Sequence, residues 1–176
     1  MTESITPAAA PDTIDAVAGL HDGDTVAALR RARDKVLLHT RLSETALFDR
    51  ALPDLSLVER LHAARYVALR SNAKALAATY RARLIEAGGT AEDIARADAD
   101  TFAALTPRVG AILAHARLLA QAPADARPSD LDALKSAGLT TPAIVALSQL
   151  VAFVAYQLRV AAAAQALQAR AAKEAA

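Results

Sequence analysis

Apolar residues recur three or four positions apart along most of the chain, and nowhere do they alternate in a strand-like way. Thr13-Ile-Asp-Ala-Val-Ala-Gly-Leu reads as a short helix stopped by Gly19, followed by the turn His21-Asp-Gly-Asp with Asp24 as an N-cap. Thr25 to about Phe48 reads as helix, in one piece or two. Leu52-Pro-Asp-Leu is a loop. Ser56 then caps a long helix, with Glu59 as the capping-box acid three residues on. Leu57, Leu61, Ala64, Ala68, Leu69, Leu76 and Leu84 keep near-helical spacing through it, and Ser71-Asn72 marks a kink or boundary. Gly88-Gly89 ends that element. Thr90 starts a short helix, and Thr106-Pro107 opens one running to about Gln121. A turn from Pro123 to Pro128 leads to a short helix capped by Ser129 and ended by Gly138. Thr141-Pro142 opens the last long helix, which passes Arg159 into an alanine-rich tail.

The pattern predicts an all-α chain of about six to eight helices. Pro7 and Pro11 mark residues 1–12 as a mobile arm. Residues 13–52 form an N-terminal helical extension, 53–170 the main helical domain, and 171–176 a frayed tail.

Composition sharpens this picture. The chain has 176 residues, 54% of them hydrophobic, but much of that share is alanine, and aromatics are only 3%. Alanine favours helix and fills little core volume, so the helices must approach one another closely. No cysteine is present, which excludes disulfides, zinc–thiolate sites, iron–sulfur clusters and thiol catalysis. Twenty basic and nineteen acidic residues leave no bulk field for nucleic acid. The first residues carry no secretory signal, so the expected location is the cytoplasm. Leu139 to Leu158 is uncharged and long enough to span a bilayer. Its Thr140, Thr141, Pro142, Ser148, Gln149 and Gln157, and the following Arg159, favour a buried or interface helix over a membrane span.

No phosphate loop, GxGxxG, HExxH or GxSxG motif occurs, and the histidines have no partner spaced to make a helical metal pair. Glu59 and His62 have Glu-x-x-His spacing, but a di-iron site needs two such motifs. No metal or cofactor is therefore expected. On a continuous helix Glu59, His62, Tyr66, Arg70, Lys74, Ala77 and Arg81 fall on one drifting stripe. Such a row is either a solvated face or a pocket wall. As a pocket wall, His62 would act as acid or base, Glu59 would orient it, and Tyr66, Lys74 and Arg81 would bind substrate. His115 and the Tyr156/Gln157/Arg159 group read as packing residues.

At this helix the chain resembles the carboxymuconolactone decarboxylase (CMD) and AhpD-like alkylhydroperoxidase family. Leu55-Ser-Leu-Val-Glu-Arg60 is similar to that family's lead-in, and Ser71-Asn72 to its approach to a Cys-x-x-Cys pair. Ala122 to Leu139 resembles the stretch before the last helix of peroxidase-related members. Phe153-x-x-Tyr-Gln-x-Arg159 resembles the end of that helix. The resemblance covers about residues 55–168. It implies an all-helical fold that assembles into homo-oligomers, with a paralogous family partner as a further possibility. Aligned this way, Lys74 and Ala77 stand at the two cysteine positions, Arg81 at the histidine and His62 at the glutamate. The family's thiol peroxidase mechanism is thus missing. Two functional expectations follow: a non-peroxidatic binding, partner or scaffold subunit, or a cofactor-free enzyme of the decarboxylase type acting on a small anionic or lactone substrate through His62. A membrane-associated helical protein ranks behind both.

Overall fold

A computed structural model describes residues 12–174. The proposed arm, except Asp12, and the last two residues of the proposed tail lie outside that range. The described chain is all-helical, with no strand, and holds nine α-helices. These are α1 (Thr13–Ala18), α2 (Thr25–Arg31), α3 (Asp34–Leu47), α4 (Leu57–Arg70), α5 (Lys74–Glu86), α6 (Ala91–Asp98), α7 (Pro107–Gln121), α8 (Pro128–Ser136) and α9 (Thr141–Glu174). The surplus over the expected number comes from two stretches that each split. Segment 25–48 divides between Arg31 and Asp34, and segment 57–86 divides between Arg70 and Lys74.

The second split has a local cause. Asn72 adopts φ 58°, a left-handed conformation that asparagine tolerates, and Ala73 N–H bonds back to Ala68 O at 3.0 Å. The chain reverses there, so α5 packs along α4 instead of extending it.

Several ends match their sequence signals. Ser56 and Glu59 form the capping box, Thr90 caps α6 by accepting from Asp93 N–H, and Pro107 follows the capping Thr106. Others are corrected. Asp24 sits at the start of α2, but its carboxylate accepts from His21 N–H and Gln168 instead of capping. Helix α8 begins at Pro128, before Ser129, and Asp130 accepts from Arg127 N–H at 2.7 Å. Helix α9 opens at Thr141-Pro142 as expected, and the hydroxyl of Thr140 caps it by accepting from Ala143 N–H.

The main core gathers α4, α5, α7 and α9. Helix α4 is its axis: every residue from Arg60 to Ala68 is buried. Ala63, Ala64 and Ala68 are wholly inaccessible, so neighbouring helices come in over methyl groups. Gly110 of α7 admits an equally close approach: a Cβ there would stand 2.9 Å from Phe102 O. Helix α9, 34 residues and about 51 Å long, crosses the whole assembly. It is long and apolar enough to span a membrane, yet Ile144, Leu147, Leu150, Val151 and Val154 pack into the core.

The N-terminal extension attaches through a small apolar cluster on α9 and a few polar contacts. Helix α1 lays Ile14 and Ala18 against Ala161 and Ala164 of α9. Buried Asp12 caps α1 and pairs with Arg30 at 2.9 Å. Helix α3 buries only Thr40, while Leu29, Val36, Leu38 and Leu42 of α2 and α3 stand more than half exposed.

Candidate functional site

The ionisable residues of the expected stripe lie on two helices, and their surroundings divide at Asn72. On α4 they are enclosed. Both oxygens of Glu59 are committed: Oε2 accepts from Ser56 N–H at 2.7 Å, and Oε1 from Arg108 Nε at 2.6 Å. Arg108 in turn donates to the carbonyls of Gly138 and Asp54. Glu59 therefore locks the entry of α4 to α7 and the start of α9. No hydrogen bond joins Glu59 to His62 among the described residues.

His62 is buried, and its Nδ1 has no partner. Burial pushes its pKa down. Asp93 works against that, and nearby Arg65 adds to it. Helix α6 and the turn after it close this flank. Arg65 makes a two-pronged contact with Asp98, at 2.6 and 2.7 Å. The hydroxyl of Tyr66 donates to Asp100 at 2.6 Å, and Arg70 pairs with Asp100 at 3.0 Å while lying over the Tyr66 ring. Burial and the bond to Asp100 raise the Tyr66 pKa to about 12. The ring also meets Phe102 edge-on. Tyr66 is thus an anchor for the 98–105 turn.

On α5 the stripe is open. Lys74 and Arg81 are exposed and, among the described residues, make no ion pair. Lys74 does line a cleft, described below, whereas Ala77 is buried in the core. The five candidates are thus distributed over two helices, and the cleft that Lys74 lines includes none of the other four.

Three features lie outside the expected row, two of them at residues, Gln157 and His115, that the sequence marks as packing. The first is a polar network where α3, α5 and α9 meet. Glu44 accepts from Thr13 and Arg83, both at 2.8 Å, and from Gln157 at 3.3 Å. Buried Tyr80 donates to Gln157 at 2.5 Å, and burial raises its pKa strongly. Arg83 lies over the Phe48 ring, 4.2 Å from its centre. The signal was Gln157, one buried amide in an otherwise apolar run. The second is Arg60, wholly buried and donating only to backbone carbonyls. The third is buried His115, with neither ring nitrogen partnered and a pKa lowered by burial. It lines a cleft of 370 Å³ with Asp130 and Gln121.

Two clefts run beside the α4–α5 turn. They adjoin, at 530 and 500 Å³, share Ser71 and Leu158, and have α9 as one wall of both. Among the described residues no group of three or more metal-binding side chains occurs. No family model, curated protein or solved structure matches the chain.

Proposed function

We propose that this chain is a non-enzymatic binding or scaffold subunit, of the CMD/AhpD-like kind but without that family's redox cysteines. The observation that carries this reading is the commitment of the acid–base candidates to packing. Glu59 is held by a helix cap and Arg108, while Tyr66 anchors a turn. Lys74 and Arg81 stand on a different, exposed helix. A general base needs an orienting group and an electrophile-binding group within hydrogen-bond reach, and among the described residues the Nδ1 of His62 has no partner. Exposed Leu38 and Leu42, one turn apart on α3, support self-association through that helix face.

Purified protein is tested for peroxide consumption with a dithiol and for hydrolysis or decarboxylation of small lactones. Buffer-level rates are expected with every substrate. Turnover that disappears in His62→Ala, with the helical spectrum intact, would establish the cofactor-free enzyme instead. Sedimentation is expected to show an oligomer that Leu38→Glu/Leu42→Glu dissociates. A wild-type monomer would remove the scaffold half of the proposal.

A further inference from the structure

We infer that the double cleft beside the α4–α5 turn is a binding site for a small amphipathic anion, an apolar chain ending in a carboxylate. The inference builds on the non-enzymatic binding role and names its ligand.

Three observations carry it. The clefts are large enough: each, at 530 and 500 Å³, falls within the range of small-molecule pockets, and they lie side by side, with Ser71 and Leu158 lining both. Hydrocarbon makes up just over half of the lining, from residues such as Leu119 and Ala152 in one cleft and Val17 and Ala162 in the other, and the rest is polar. All charge in the lining has one sign. Arg159 lines the first half and Lys74 the second, and no acidic side chain lines either. Neither cation has a carboxylate partner among the described residues, although most other arginines around the fold do. Two adjacent clefts with apolar stretches, each bearing one unneutralised cation, complement an aliphatic tail with an anionic head. The α5 backbone adds to the same field, since its first turn holds no acid and Ala73 offers no side-chain cap.

The occupant could be challenged by a second copy of the chain, whose helix would need the same clefts. The lining argues for the small anion, because a helix face would leave Lys74 and Arg159 unanswered unless it brought carboxylates in register.

Calorimetric titration with dodecanoate and decanoate, both below micelle formation, tests the site. Dodecyltrimethylammonium, with the same tail and opposite charge, serves as the control. Dodecanoate is expected to bind about fifteenfold more tightly than decanoate, from two additional buried methylenes. Lys74→Gln/Arg159→Gln is expected to weaken it about tenfold. Ala152→Trp, an exposed position on the cleft wall, is expected to block it while leaving the thermal midpoint unchanged. Equal affinity for the ammonium chain, or undiminished affinity in both variants, would overturn the assignment. So would an Ala152→Trp change in sedimentation without any change in dodecanoate affinity, which would give the cleft to a second copy. Peroxide and lactone turnover are measured on the same preparation. Absence of dodecanoate binding without turnover rejects this ligand alone, whereas turnover rejects the non-enzymatic reading beneath it.

Discussion

Replacing Arg60 by methionine tests how the entrance to the central helix is held. The guanidinium has no exposed surface, and Nε donates to Leu55 O at 3.0 Å and Ser56 O at 3.3 Å. Nη1 reaches Leu47 O at 2.6 Å and Nη2 reaches Asp49 O at 2.7 Å. These carbonyls belong to the last residue of α3, the residues just after it, and the approach to α4, where helix ends leave acceptors without internal partners. Arg60→Met keeps most of the apolar stem and removes every donor. A hydrogen bond from a charged group contributes about 1.5–3 kcal/mol. The Leu55 contact is fully buried, whereas water can replace the others in part, so the expected loss is about 3–5 kcal/mol. For a chain of this size that lowers Tm by roughly 6–20 °C. Arg60→Lys retains the charge but offers one nitrogen where three now donate, and should recover less than half. Urea unfolding followed by circular dichroism measures both. An Arg60→Met loss below about 1 kcal/mol, with an unchanged denaturant slope, would refute the reasoning.

Two further predictions concern the histidines and the turn. His62 and His115 both have pKa values held below the ordinary 6.5 by burial, so below that pH the unfolded chain takes up protons that the folded chain refuses. Stability should therefore fall as pH drops from 7 towards 5, by at most about 1.4 kcal/mol per pH unit for each histidine. His62→Gln and His115→Gln should each flatten that slope, and unchanged slopes in both would remove these two groups as its cause. Asn72→Gly should leave urea stability within a few tenths of a kcal/mol, whereas Asn72→Ala should lose about 1 kcal/mol. An alanine variant as stable as wild type would mean that the left-handed turn is not what separates α4 from α5.

The helical class, most helix starts and the interruption at Ser71-Asn72 were legible because each depends on neighbours in sequence. Ser56 sees Glu59 three residues away, and Thr106 sees Pro107 next to it. The environment of the ionisable row was not legible, because its partners are remote. Arg108 reaches Glu59 from 49 positions downstream, and Asp98 reaches Arg65 from 33. Spacing alone made α4's charged residues look solvated or pocket-lining, whereas α6 and the 98–105 turn cover them. Lys74 falls on the same spaced row, yet the structure sets it in a cleft with Ala161 and Gln165 of α9, not with His62. Arg60 was passed over as part of a lead-in motif, since nothing local shows that its fork will meet the end of α3.

The inaccessible alanines of α4 set the terms on which this sequence can diverge. An ion pair such as Arg65–Asp98 can be lost and replaced by an apolar pair of similar volume, because only its own flank must adjust. Ala63, Ala64 and Ala68 have no such latitude, since each added carbon would push two helices apart along their length. Drift should therefore erase the charged and catalytic-looking positions first and leave a register of small residues as the longest-lived trace of ancestry. Distant kin of this chain are best sought by where their helices carry methyl groups, not by which acids and bases they have kept.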